Sequence, residues 1–198
     1  MALITTPAVH ATAMQLQLVR GDTAIEFLDG SAAIAQSTKA LWQLSYPIKP
    51  LRLADARPWA AALVQLSKLG NTFEVYPPAW IQGAGYAGAA PEVIGSAQLG
   101  LSLNCDTAGI STTVALAGDF ITVNGETKML TVDAVSNGTG LVTFTFEPAL
   151  RASPADNATV NVLTPTITMR LITPAALVAA RLGNFYDVTI EAIEHHGP

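Results

Sequence analysis

From residue 101 onward, apolar and polar side chains alternate along the chain in short runs that are separated by turn residues. The runs include LSLNC at 101–105, ISTTVAL at 110–116 and LVTFTF at 141–146. Alternation with a period of two is typical of strands with one buried face, and turns at intervals of about eight to twelve residues are typical of sandwiches and barrels. The sequence therefore predicts a mainly β fold, as a small antiparallel β-barrel or β-sandwich.

One hairpin in this region is predicted from its turn. Asn124 and Gly125 lie between the alternating runs FITV and ETKMLTV. Both residues readily adopt the positive φ angles that a type I′ turn requires, so this dipeptide is a strong hairpin signal. Further on, Pro148 is expected to end the strand that contains Phe144 and Phe146, because proline cannot donate a ladder hydrogen bond.

The first half of the chain combines candidate strands with one helix. The segment DARPWAAALVQLSKLGN predicts an amphipathic helix over about residues 56–69, with Asp55 as its cap and Gly70 after its last turn. Its main apolar side chains share one face, which predicts packing against a sheet. These side chains are Trp59, Ala62, Leu63 and Leu66. A further segment, residues 174–183, fits either a second helix or a strand-like crossover.

The length of the chain is compatible with one domain or two small ones. We expect residues 1–198 to form a single structural unit. Within it, two lobes are an alternative arrangement: residues 1–82 with strands and the helix, and residues 96–198 with a barrel-like fold. A glycine-rich loop over residues 83–95 would join them.

Composition and charge argue against some classes of function. Half of the residues are apolar and only 13% are charged, about half the charged fraction of an ordinary globular domain. Apolar surface is therefore available for a core and for contacts between subunits. The net charge of −5 and the lack of a basic run argue against binding of nucleic acid. Neither a secretory signal nor an apolar run near the roughly 20 residues of a membrane span is recognisable.

The sequence contains few residue patterns that indicate a catalytic or binding site. GAGYAG at 83–88 matches the glycine pattern of a dinucleotide-binding loop, but such a loop must follow a buried strand and begin a helix. Pro77, Pro78 and Pro91 flank it, so neither element is expected and a flexible loop is favoured. The single cysteine, Cys105, alternates with polar residues and is predicted to be a small buried hydrophobe rather than a nucleophile.

Histidines and carboxylates do not indicate a metal or catalytic site. His195 and His196 are adjacent at the C-terminus and distant in sequence from His10, whereas a metal site needs several converging ligands. The carboxylates show no spacing that implies a catalytic pair. We therefore expect no catalytic residue, no metal ligand and no cofactor, and we expect that the protein is not an enzyme.

Residues 118–165, GDFITVNGETKMLTVDAVSNGTGLVTFTFEPALRASPADNATVNVLTP, resemble a segment that recurs in tail proteins of long-tailed bacteriophages. The shared features are a Gly-Asp strand start, a short hairpin, a glycine-rich turn and P-x-L-R followed by SPAD. In this sequence the corresponding residues are Gly118, Asp119, Pro148, Leu150, Arg151, Ser153, Pro154 and Asp156. The helix segment and the closing GNFYDVTIEAIE occur in the same order as in those proteins.

Among these proteins the chain is most similar to the distal tail protein family, whose ring joins the tail tube to the tail tip or baseplate. The resemblance implies a homo-hexameric ring around the tail channel, with the tail tube protein and the tail hub or baseplate proteins as partners. It implies a location in the virion at the tail tip, after synthesis in the host cytoplasm, with DNA only passing through the channel. We expect Trp80, Tyr86 and Arg151 to be assembly or contact residues.

Two other function classes stay open at this point. A β-sandwich module that recognises a cell-surface carbohydrate would use Trp80 and Tyr86 as a stacking platform. An enzyme would require an acid, a base or a metal cluster to converge in the fold. For the ring, we expect the loop around residues 83–95 to become ordered only on contact with a neighbouring subunit.

Overall fold

The computed structural model describes residues 3–6, 14–27, 29, 31–35, 40–68, 70–77, 86–172, 179–181 and 185–196. Within these ranges one α-helix and fifteen β-strands are present. In chain order they are β1 (Gln15–Arg20), β2 (Thr23–Glu26), β3 (Ala32–Ala35), β4 (Ala40–Arg52), α1 (Leu53–Leu66), β5 (Phe73–Val75), β6 (Glu92–Val93), β7 (Gly100–Asp106), β8 (Thr113–Ala115), β9 (Phe120–Val123), β10 (Glu126–Leu130), β11 (Ala134–Val135), β12 (Val142–Leu150), β13 (Ile167–Leu171), β14 (Ala179–Arg181) and β15 (Phe185–Glu194). The predicted mainly β, antiparallel fold with one helix is confirmed.

The chain divides into two compact units that are each assembled from separate segments. Unit 1 consists of Met1–Gln17, Trp42–Pro78 and Thr166–Pro198, and unit 2 consists of Leu18–Leu41 and Ala79–Pro165. This division differs from lobes that meet at residues 83–95. Strands β13 and β15 lie in the second half of the sequence but pair with β5 and β4 of unit 1, so long-range ladder hydrogen bonds decide where the C-terminal segment belongs.

Unit 1 contains a six-stranded sheet with the strand order β1-β4-β15-β13-β5, and β14 pairs with β15 outside this path. Helix α1 begins directly after β4. Its N-cap residue is Arg52, which has the extended backbone of the strand, and Asp55 lies in the first turn instead of capping the helix. The helix therefore starts and ends earlier than predicted. Its buried face is the predicted one, and it contacts β15 of the sheet. No helix in the described part of the chain is long and apolar enough to span a membrane.

Unit 2 contains a curled five-stranded sheet with the order β6-β7-β12-β10-β9. Both of its edge strands hydrogen-bond to the segment that follows Asp156. On one edge Val93 N donates to Ala158 O at 3.0 Å, and on the other Thr122 N donates to Asn161 O at 3.0 Å. Residues 157–161 thus bridge the two edges of the sheet and complete a small barrel, which leaves fewer unpaired edge groups exposed.

The core of this barrel is formed by inward-facing apolar side chains, as the alternating pattern predicts. It includes Val93, Leu103, Cys105, Val114, Ile121, Leu130, Phe144, Phe146 and Val160. The predicted hairpin is also confirmed, since β9 and β10 are joined by Asn124 and Gly125 with φ angles of 51° and 73°.

Two further expectations about local structure have different outcomes. Pro148 does not end its strand, because β12 continues to Leu150. The pairing of β12 with β7 is irregular between Thr145 and Leu150, so the missing N–H of Pro148 falls where no regular ladder bond is required.

Of the segment 174–183, only Ala179–Arg181 is described, and it is strand β14.

Candidate functional site

Tyr86 is one of three residues that the sequence indicates as contact positions, and it is buried in unit 2. Its side chain is 4% exposed. The hydroxyl donates to Ala89 O at 2.6 Å and accepts from Gly109 N at 3.2 Å. A Cβ atom on Gly88 would lie only 2.3 Å from the hydroxyl oxygen, so a larger residue there would displace the Tyr86 side chain. Tyr86 anchors its own loop, and its ring does not form an exposed stacking surface.

The glycine-rich loop is therefore packed over its described part. Tyr86 and Pro91 are buried while Ala87 and Ala89 between them are exposed, and Glu92–Val93 pair with β7 as strand β6. The expectation that residues 83–95 order only on contact with a neighbour is not supported for residues 86–95. Trp80 and residues 83–85 lie outside the described residues.

Arg151 lies directly after β12, next to a buried carboxylate. Its backbone N donates to Glu126 Oε2 at 3.2 Å, and Ala152 N donates to Glu126 Oε1 at 3.2 Å. Its exposed guanidinium donates from Nη2 to Ala40 O. All of these residues belong to unit 2. Arg151 therefore holds together chain segments that are distant in sequence within one unit.

The carboxylate that Arg151 contacts belongs to an ion pair inside the barrel. Lys128 Nζ lies 2.6 Å from Glu126 Oε2 and also donates to Ala149 O at 2.9 Å. Lys128 is 1% exposed and Glu126 is 3% exposed. The alternation of β10 gave no indication that a lysine would be buried here. Burial is tolerable because each charge has a partner and further hydrogen bonds.

The pKa of Glu126 reflects two opposing effects. Burial acts to raise it, whereas the hydrogen bond and charge of Lys128 and the N–H groups of Arg151 and Ala152 lower it. The net effect is a pKa below the ordinary value of 4.5. Glu126 is thus ionised in the folded barrel, and its role is to connect the start of β10 with the end of β12.

The other residues that carry the phage-tail resemblance also hold turns. Gly118 has a φ angle of 93°, and its N donates to Leu130 O at 2.8 Å. Asp119 Oδ2 accepts from Leu116 N at 2.8 Å. Asp156 Oδ1 accepts from Gly95 N at 2.6 Å beside the barrel-closing segment. Each of these side chains or backbone groups is used for the architecture of unit 2.

Titratable groups do not converge on a metal or catalytic site in the described ranges, where no group of three or more His, Cys, Asp and Glu could hold a metal ion. In unit 1, Glu194 is buried and accepts from Trp42 N at 3.1 Å, and its Oε1 lies 3.4 Å from His196 Nε2. Burial, followed by the charges of Arg170 and His196, lowers the pKa of His195. This arrangement orders the end of β15.

Cys105 is fully buried in the barrel, as the sequence predicts. Burial, together with the charge of Asp106, raises the pKa of its thiol to about 12. Since the thiolate is the reactive form, we expect iodoacetamide at about pH 8 to leave Cys105 unmodified in the native protein and to alkylate it after unfolding in urea. Mass spectrometry measures the modification. Labelling of the native protein at the rate of a free thiol would contradict this expectation.

The β2–β3 hairpin, residues 21–35, is an exposed element of unit 2 over its described side chains. Strands β2 and β3 pair only with each other, and every described side chain of the hairpin is exposed. Ile25 is 55% exposed and Phe27 is 52% exposed. An isolated two-stranded hairpin is only marginally stable in water, and exposed apolar side chains often mark contact sites. The hairpin is therefore a candidate contact element.

Two surface grooves differ in charge. The groove in unit 1 has a volume of about 400 Å³ and lies where α1 and β13 end. Its lining includes Leu66, Lys68, Asn71, Arg170, Leu171 and Ile172. The groove in unit 2 has a volume of about 630 Å³, and its lining includes Ile94, Asn104, Asp133, Val135, Leu141 and Thr143. None of the described lining residues of either groove carries an aromatic ring on which a sugar could stack.

The negative charge of the chain is concentrated in unit 2. Unit 1 contains six Lys or Arg and five Asp or Glu, which gives a formal charge of +1. Unit 2 contains four Lys or Arg and ten Asp or Glu, which gives a formal charge of −6. Lys128 is buried and Arg20 is paired with Glu147 at 2.8 Å, so little positive charge offsets the acidic surface of unit 2.

Together, these features define a mainly β protein in which Tyr86, Arg151 and the Glu126–Lys128 pair hold the architecture of unit 2 and the β2–β3 hairpin is exposed. A scan against protein-family models finds no match, and a search of curated proteins finds none.

Proposed function

We propose that this protein is a virion structural protein that forms a ring, as a homo-hexamer, at the distal end of a bacteriophage tail. It would connect the tail tube protein to the tail tip or baseplate hub and would have no catalytic activity. The resemblance of residues 118–165 to phage tail proteins supports the class. The single observation that supports the proposed assembly into a ring is the exposed β2–β3 hairpin.

The residues behind the resemblance are consistent with a structural role. Gly118, Asp119 and Asp156 hold turns and the closure of the barrel, and Arg151 joins three chain segments. A family that shares an architecture without a common active site would share residues of this kind. The resemblance therefore concerns the scaffold that a ring subunit needs.

The hairpin supports contacts between subunits because it exposes apolar side chains and its strands pair with no other strand in the described part of the chain. A stable contact between proteins buries about 800 Å² on each partner. Burial of Ile25 and Phe27 against a neighbour would remove apolar area from water and would also stabilise the hairpin. Closed cyclic symmetry is the usual way in which identical subunits satisfy such contacts.

The charge of unit 2 fits a ring through which DNA passes. An acidic surface repels the phosphate backbone, so DNA would not adhere to it. By contrast, the carbohydrate-binding alternative gains no support from Tyr86, which is buried, or from the described lining of the two grooves, where no residue is aromatic; Trp80 lies outside the described residues. The tail ring remains the better proposal.

The test is the absolute mass of the purified protein by light scattering over a wide concentration range, with negative-stain images of large species. We expect a discrete six-subunit ring with an open channel. The variant Ile25→Lys/Phe27→Lys should remain folded but monomeric, because charges replace the apolar contact side chains. Val132→Lys is the matched control, since Val132 is 57% exposed in unit 2 outside the hairpin, and it should still form rings. A wild-type protein that is monomeric at every concentration would contradict the proposal.

A further inference from the structure

The groove of unit 1 presents two positive charges beside apolar side chains. Lys68 and Arg170 are exposed, and neither forms an ion pair with another described residue. Lys68 follows the last turn of α1, and Arg170 lies on β13. Ile172, just beyond this strand, is 44% exposed. The groove thus combines an apolar lining with cations that lack an internal counterion among the described residues.

The tip of the β2–β3 hairpin, residues 26–31, has the complementary properties. Glu26 and Asp29 are exposed carboxylates on either side of Phe27. Two hydrogen bonds connect described residues of the tip: Phe27 N donates to Ser31 O at 2.8 Å, and Ser31 N donates to Asp29 Oδ1 at 2.9 Å. One aromatic ring flanked by two carboxylates matches a groove with apolar side chains and two cations.

The groove of unit 2 does not offer the same match. Its lining contains Asp133, a carboxylate that would repel the acidic tip, and none of its described lining residues is a cation. Like charges that meet at an interface act against binding and thereby select the correct partner. Charge thus distinguishes the unit 1 groove as the docking site for the tip.

We propose that the hairpin tip of one copy binds in the Lys68–Arg170 groove of a second copy, with Phe27 against the apolar lining and the two carboxylates near the two cations. This inference rests on the proposed ring function and specifies its subunit contact. The contact joins different surfaces of two identical chains, so it is heterologous. Repeated around a closing rotation, it generates a ring in which every copy contributes one tip and one groove.

Charge reversal tests this contact. Lys68→Glu/Arg170→Glu and Glu26→Lys/Asp29→Lys should each raise the concentration for half-assembly at least about tenfold, because close interfacial charge pairs contribute strongly to affinity. The fourfold variant that combines both reversals should recover assembly. Asp55→Lys/Arg57→Glu, which reverses two exposed charges near the start of α1, is the matched control and should assemble as the wild type does.

Cross-linking gives a second measurement that does not depend on the effect of a charge on folding. In the variant Phe27→Cys/Ile172→Cys, oxidation should produce a ladder of disulfide-linked oligomers, while buried Cys105 stays unreactive. Each single-cysteine variant should produce dimers at most. Rings that form in the wild type but resist charge reversal and give no ladder would overturn this contact and leave the proposed function intact. The absence of rings in the wild type would instead overturn the proposed function.

Discussion

Replacement of Lys128 by Met should destabilise unit 2 by about 3–5 kcal/mol, the cost expected when one partner of a buried ion pair is removed. Glu126 would keep its negative charge in the barrel without the ammonium group that lies 2.6 Å away. Methionine has a similar length and apolar stem, so loss of packing should contribute little. Urea unfolding measures the change in the free energy of unfolding, with the reactivity of Cys105 as the probe because this residue lies in unit 2.

A double variant separates the isolated charge from the loss of contacts. In Glu126→Gln/Lys128→Met, neither charge remains, and the amide oxygen of Gln can still accept from the N–H groups of Arg151 and Ala152. We expect this variant to be more stable than Lys128→Met alone, because a buried neutral amide costs less than a buried unpaired carboxylate. A double variant that is equally unstable would show that shape, and not charge, explains the loss.

The pH dependence of stability provides a further check on the same ion pair. Because the pKa of Glu126 is lowered in the folded state, its contribution to stability is complete above its ordinary pKa of 4.5. This contribution is lost as the pH falls from 4.5 through the lowered folded-state pKa. The wild type should therefore lose stability in acid more steeply than Glu126→Gln, which lacks this titrating group. Parallel profiles would contradict the assignment.

Local sequence signals were sufficient for much of the fold. Asn124-Gly125 specifies its turn because few residues adopt positive φ angles, and the apolar face of α1 follows directly from helical periodicity. Pairings between distant segments were not predictable in this way. Strand β15 shares the alternating pattern of the barrel strands, yet it pairs with β4 of unit 1. Alternation identifies a strand but does not identify its neighbour.

The side-chain contacts at the candidate site were also not predictable from local sequence. Lys128 reads as a solvent-facing residue in the hairpin because lysine is rarely buried without a partner. Its burial depends on Glu126 and Ala149 O, and the latter lies on a different strand. The glycine-rich context of Tyr86 indicated a mobile loop with an available aromatic ring. A hydrogen bond from the distant Gly109 instead fixes this ring inside the barrel.

Tyr86→Ala should therefore destabilise unit 2 by about 3–5 kcal/mol, as truncation of a large buried aromatic side chain does. Replacement of the ring by the methyl group of Ala would leave a cavity beside Gly88, which the ring and hydroxyl approach closely. Tyr86→Phe should cost less, about 1–3 kcal/mol, because the N–H of Gly109 and the carbonyl of Ala89 would lose their partner. Thermal unfolding measured by calorimetry compares both variants with the wild type.

This pair of variants also separates a core role for Tyr86 from a contact role. If Tyr86 were an exposed sugar-stacking or assembly residue, both variants would unfold at the wild-type temperature, and Tyr86→Ala would lose only ligand binding or rings. Gly88→Ala is an independent probe of the same packing, since its Cβ atom would lie within 2.7 Å of three ring or hydroxyl atoms of Tyr86. A lowered unfolding temperature in Gly88→Ala and Tyr86→Ala together would place the ring in the barrel core.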